Sequence, residues 1–326
     1  MRKTIPVVIW VLILLIENCV AAVITDFNSI EKQPRKFKGK IFAIIESDED
    51  MNIAIEHKDR IDQVIGKGFS AESFPSGSPK IEGEWVYKKN FTHNIGHIMF
   101  GNFASIVNWT FEMTEAVIET INKYGLDGVC MEDLENVYFI TGRSTRDVRL
   151  ILRRLGIELH KIQKQVFAII PPNSQAIGIS EITSLKNLVD EFILDDIQYY
   201  DRNMIGSHCT SPVYYIKGLV EQYTSNYVDL TKKTSITIDL SGTMLCPNQP
   251  RSMVNSTYFY NNLLQVKKSE WIDKCQEQKF IMENGCEIMY PTIEFIQKRI
   301  DLATELGVDI TLYNINAAHP NTFNLF

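Results

Sequence analysis

The chain lacks a second long apolar run, a concentrated basic patch and any cysteine pair at metal-ligand spacing. Among its 326 residues only the stretch 5–16 is continuously apolar, and that is too short for a membrane span. No membrane span is therefore expected. A net charge of -7 without a basic patch argues against nucleic acid and against anionic membranes as partners. No GxGxxG follows the first strand-like segment, which disfavours a dinucleotide-binding sheet. No nucleophile elbow exists for Ser207-His208 or His319 to serve. His93 and His97 stand four apart, but no glutamate lies between them as a zinc protease would require. No metal and no cofactor is expected. A low-complexity linker is also missing, so nothing divides the chain into two domains.

What is present starts with a leader. Arg2 and Lys3 precede the apolar stretch, and Ala21 and Ala22 offer a cleavage point, the pattern of a secretory signal. Residues 1–22 are expected to be a signal peptide and residues 23–326 one domain, secreted to the extracellular space. Sequons at Asn90, Asn108 and Asn255 agree with that route and mark expected glycosylation sites. Of six cysteines, Cys19 lies in the leader. The remaining five should mostly pair in an oxidising compartment. Five choices of odd thiol and three pairings of the rest leave the connectivity open. Cys130, inside a strand-like segment, is the candidate free thiol.

Strand-like and helix-like segments alternate along the chain. Residues 40–46 (KIFAIIE), 166–170, 192–198, 236–240 and 308–315 read as strands buried on both faces, and 97–101 as a weaker one. Residues 112–124 form a helical stripe of Met113, Val117, Ile121 and Tyr124 that stops at Gly125. Ser144-Thr145-Arg146-Asp147 resembles a capping box, followed by Val148, Ile151, Leu152, Leu155 and Leu159 on one face. Pro291 opens a last helix that ends at Gly307. Strand-then-helix repeats in this number predict a parallel eight-stranded (β/α)8 TIM barrel. The stretch 241–290 shows no clear period, holds three of the five remaining cysteines, and is expected to be an insertion over the site. The acidic run Glu46-Ser47-Asp48-Glu49-Asp50 reads as a solvated loop.

The chemically richest segment is Gly125-Leu126-Asp127-Gly128-Val129-Cys130-Met131-Glu132-Asp133-Leu134-Glu135-Asn136-Val137. It resembles the fourth-strand motif DGxDxDxE of glycoside hydrolase family 18, the chitinase family. Aligned from Asp127-Gly128, the three downstream acids fall on Cys130, Glu132 and Leu134. Aligned from Glu135-Asn136-Val137, the last two fall on Asp133 and Glu135, with Met131 in the remaining place. The second register needs one extra residue upstream, which a bulge can absorb. It is the preferred one. It sends Cys130 and Leu134 to the helices, and Asp133 and Glu135 to the barrel mouth.

Further along, Gln198-Tyr199-Tyr200-Asp201 resembles the family's sixth-strand motif Met-x-Tyr-Asp, with glutamine in place of methionine. Met99-Phe100-Gly101-Asn102 is a degraded third-strand SxGG. The last strand lacks the family's tryptophan, and Tyr313 is the nearest aromatic. The resemblance implies substrate-assisted hydrolysis, in which the sugar's own 2-acetamido carbonyl attacks the anomeric carbon. It assigns Glu135 as proton donor, Asp133 as the group that orients the acetamido nitrogen, and Tyr200 as its hydrogen-bond partner. Asp201, Tyr199 and Tyr313 become substrate contacts. The implied partner is chitin or another N-acetylglucosamine-containing glycan. Three readings remain open: a hydrolase acting on β-1,4-linked N-acetylglucosamine polymers, an inactive lectin or interaction protein on the same barrel, and a related hydrolase acting on N-glycans or another acetamido sugar.

Overall fold

The computed structural model describes residues 27–72, 80–88, 91–100, 109–140, 145–172, 174–197, 209–224 and 227–326. Eight parallel strands form the barrel: β1 (Ile41–Ile45), β2 (Gln63–Glu72), β3 (Asn94–Phe100), β4 (Gly128–Glu132), β5 (Gln165–Ile170), β6 (Glu191–Leu194), β7 (Thr234–Asp239) and β8 (Asp309–Tyr313). Each pairs with the next, and β1 pairs with both β2 and β8, so the sheet closes on itself. Closure removes the unpaired edges that an open sheet would present.

Helices pack outside this wall: α1 (Asp48–Glu56), α2 (Trp109–Tyr124), α3 (Leu134–Ile140), α4 (Thr145–Lys161), α5 (Ile179–Leu185), α6 (Val213–Thr224) and α7 (Ile293–Leu306). The stripe of α4 is buried as its period requires. Gly307 ends α7 in the left-handed region at φ 68°, which a residue with a Cβ adopts only at a cost. No described helix is long and apolar enough to cross a membrane.

Two apolar layers result. The larger lies between strands and helices and holds Val129, Met131, Phe192 and Leu194. The smaller fills the barrel itself: Phe42, Ile44, Ile65, Ile95, Cys130, Phe167, Ile169 and Ile193, with Tyr313 packed against it. Alternate residues of each strand supply one layer or the other, as the two-residue period demands.

Three sequence expectations change here. The sixth strand is shorter than 192–198 and ends at Leu194. The acidic run after β1 is no loop: Ser47 caps α1 by accepting from Asp50 N, and Asp48, Glu49 and Asp50 form its first turn, where carboxylates suit the helix dipole. The stretch 241–290 folds into a five-stranded antiparallel sheet inserted between β7 and α7. Its weak period follows from short strands with mixed burial. Cys246–Cys286 closes this insertion, and Cys209–Cys275 ties it to the chain following β6. Among the described residues Cys130 is the free thiol, and it is buried.

Candidate active site

The strand period fixes which residues reach the mouth. Two positions beyond the inner layer, on the same faces, stand Glu46, Lys67, His97, Glu132, Asp195 and Tyr313. Asp239 ends β7 beside them. The candidate site is therefore built by the carboxyl ends of strands one, two, three, four, six, seven and eight.

The expected facing of β4 is reversed. Cys130 belongs to the barrel interior, not to the helix layer. Glu132 follows it on the same face and ends the strand. Asp133 then takes a left-handed backbone, φ 59°, and breaks the alternation. Leu134 opens α3 and is buried without measurable exposure in the outer core. Glu135 sits in the first turn of that helix, where its Oε1 accepts from Ser174 Oγ of the β5–α5 loop. No bulge interrupts the β4 pairings. The expected facing is thus corrected for Cys130, which lines the barrel, and Glu135 lies beyond the strand. Glu135 is carried on a helix and Asp133 is exposed at the turn. Tyr199, Tyr200 and Asp201, with Asn90 and Asn108, lie outside the described residues. Asn255 is exposed at a helix N-cap, its Oδ1 accepting from Tyr258 N at 2.8 Å.

Glu132 is the strand-four carboxylate of the mouth. His97 Nε2 lies 3.0 Å from its Oε2, and His97 is fully buried. Burial alone would raise the Glu132 pKa, but the His97 contact and the charges of His97 and Lys67 outweigh it and hold the group below its usual range. Lys67 also pairs with Glu46. Asp195 behaves oppositely. Burial lifts it to about 6, against the Ile197 backbone N–H that it accepts, and the Glu132 charge adds to the rise. Asp196 accepts from Thr237 Oγ1 of β7, and burial takes its pKa to about 8. Asp239 Oδ1 accepts from Ser241 N, Ser241 Oγ and Asn314 Nδ2, each at 2.8 Å. Burial still leaves its pKa raised. The Tyr313 hydroxyl is buried with no hydrogen-bond partner among the described residues. Cys130, below this ring, has its thiol pushed well up by burial and by the Glu132 and Glu191 charges, so it is an inert wall residue.

A cavity of about 470 Å³ opens from Asp239 and Asn314 toward the insertion, which contributes Thr243, Arg251, Met253 and Tyr290. Its wall is held by a buried ion pair. Arg299 of α7 lies 3.3 Å from Glu277, and Glu277 accepts from Thr210 N, Thr210 Oγ1 and Ser211 N. Both side chains are essentially unexposed.

Sequence reasoning missed His97, Asp195 and Asp239 as mouth residues. A signal existed for Asp195, since Ile193-Leu194-Asp195-Asp196 is an apolar strand that ends in acids. His97 was weighed only as a metal ligand, and no group of three metal-binding side chains exists among the described residues.

No protein-family model matches the chain, and no curated protein matches it by sequence. Solved structures do. A chitinase from Chromobacterium violaceum aligns with a TM-score of 0.67 at 8% identity, over 88% of this chain and 97% of that one. A glycoside hydrolase family 18 N-acetylglucosaminidase from Paenibacillus barengoltzii aligns at 0.65 with 12% identity, over 89% and 100%. A family 18 chitinase from Cycas revoluta, solved with (GlcNAc)4, aligns at 0.62 with 8% identity, over 88% and 99%. The fold is that of the family 18 chitinases.

Proposed function

We propose that this chain binds N-acetylglucosamine-containing glycans in the barrel mouth and does not hydrolyse them by the substrate-assisted route. The carrying observation is the end of β4. Its inward residues are Cys130 and Glu132, and the next position at that spacing, Leu134, is buried among the helices. Where the register counted from Asp127-Gly128 asks for a proton donor, the chain has a hydrocarbon. Glu132, held ionised by His97, is poorly suited to give a proton at neutral pH. The cavity beside Asp239, lined by Tyr290, Asn314 and Arg251 among others, offers the mix of hydrogen-bonding and apolar surface that sugars need.

One observation favours hydrolysis by another route. Asp195, raised to about 6, and Glu132, lowered, form a proton-holding and a charged carboxyl group at one mouth. Incubation with chitin oligomers followed by a pull-down on insoluble chitin separates the readings. Binding without turnover supports the glycan-binding protein. Turnover lost in Asp195→Asn supports the relocated acid, and turnover lost in Glu135→Gln restores the family mechanism. Neither binding nor turnover removes the glycan reading altogether.

Export and modification belong to the same reading. The two disulfides suit an oxidising compartment, and Asn255 is an exposed acceptor. Expression in a secretory host should give culture-medium protein whose mass falls on deglycosylation, with part of the shift lost in Asn255→Gln.

A further inference from the structure

The opposite end of the barrel corrects the expectation of no basic patch, because four lysines gather there within an acidic chain. Arg35-Lys36-Phe37-Lys38-Gly39-Lys40 leads into β1, with Lys36, Lys38 and Lys40 at alternate positions and a bend at Gly39. Together with Lys232, before β7, they line a cavity of about 550 Å³ at the amino ends of the strands. All four are exposed. The side chains of Lys36, Lys38 and Lys232 make no hydrogen bond or ion pair among the described residues. The charge of Lys40 is partly balanced by Glu191 and Asp309.

The segment is fixed before any ligand arrives. Arg35 grips both Asp62 oxygens, at 3.0 and 2.8 Å, and donates to the Phe37 and Gly39 carbonyls. Lys40 N donates to Asp309 Oδ1 at 2.7 Å. Phe37 is buried beneath the row, and its ring leaves no room for a Cβ at Gly39, which would lie 2.6 Å away. The one guanidinium therefore serves as the clamp, and the lysines are left over. They do not serve as a cap for α7 either, because Gly307 N and Val308 N already bond to Ala303 O.

We propose that this lower cavity binds a sulfate- or phosphate-bearing glycan segment, with Lys36, Lys38 and Lys232 as its principal contacts. Ammonium groups pair with such anions as point charges, and a pre-ordered row loses less entropy on binding. Nucleic acid is disfavoured, because Phe37 is too buried to stack on a base. The inference is independent of the reading of the mouth.

The test is titration of the full chain with a size-defined heparin oligosaccharide. The parallel arms are an unsulfated oligosaccharide of equal length, a phosphorylated one and a single-stranded oligonucleotide of equal charge. Salt-dependent binding of the sulfated or phosphorylated arm is expected, and whichever binds identifies the anion. The triple variant Lys36→Gln, Lys38→Gln, Lys232→Gln should bind at least tenfold more weakly, with a shallower salt slope. The charge-matched variant Lys58→Gln, Lys123→Gln, Lys298→Gln should stay within twofold. Thermal melts check that both variants are folded. No binding at low salt, equal loss in the two variants, or equal affinity for the oligonucleotide would overturn the proposal.

Discussion

Asp133 and Leu134 are chain neighbours that face opposite worlds: Asp133 is exposed at a left-handed turn, and Leu134 is buried without measurable exposure against the helices. The turn ends β4 at Glu132. It thereby decides which carboxylate the barrel mouth receives.

Leu134→Glu should therefore not rebuild a proton donor. A glutamate there enters the outer core with no partner, and the expected cost is at least about 3 kcal/mol of unfolding free energy. Glu135→Gln should cost about 1 kcal/mol or less, the weight of its Ser174 hydrogen bond. Urea unfolding of the two variants is the measurement. A tolerated Leu134→Glu would mean that this position faces the mouth after all.

His97 should matter through Glu132. Glu132 has its pKa lowered by its surroundings, so its contribution is present above the ordinary glutamate value of 4.5 and lost as pH falls through the lower native value. His97→Phe removes the contact and should cost about 1–3 kcal/mol at pH 7, with the deficit shrinking in acid. Stability curves for both proteins from pH 3 to 7 provide the check. A deficit of constant size would assign the loss to packing of the ring rather than to the contact with Glu132.

The barrel was legible in the sequence because its signals are local. Buried strands such as 41–45 and stripes such as Val148 to Leu159 announce themselves through period, and Gly125 and Gly307 mark helix ends. The site was harder to read, for a physical reason. Facing along β4 depends on where the strand stops, and one positive φ at Asp133 moves every later residue to another environment. Asp195 and Asp239 follow β6 and end β7, far from Glu132 in sequence, so only the fold gathers them at one mouth. The lysines of the lower cavity are similarly split between residues 36–40 and 232.

Arg299 should prove more important than its distance from the mouth suggests. It is the largest fully buried side chain, and it holds Glu277 together with the Ser211 and Gln276 carbonyls. Arg299→Leu leaves the Glu277 charge buried, at an expected cost of about 3–5 kcal/mol. Adding Glu277→Gln should recover part of the loss. A double variant no better than the single would show that the guanidinium's backbone contacts, not its charge, hold the insertion.

Asp195 gives the sharpest pH test. Its native pKa of about 6 lies above the ordinary 3.8, so between those values the folded protein holds more protons than the unfolded chain. Stability attributable to this group must then fall as pH rises through that window, by ~3 kcal/mol in all. Asparagine at the same place does not titrate. Asp195→Asn should match the wild type most closely near pH 3 and gain on it steadily up to pH 7. Comparing the two proteins at each pH cancels the contributions of Asp239 and Glu191, whose pKa values are also raised. Because the Glu132 charge contributes to the rise, Glu132→Gln should narrow the window from its upper end. A wild-type-to-variant gap that does not change with pH would mean that Asp195 is ionised throughout, and the proton it needs to act as an acid at the mouth would not be there.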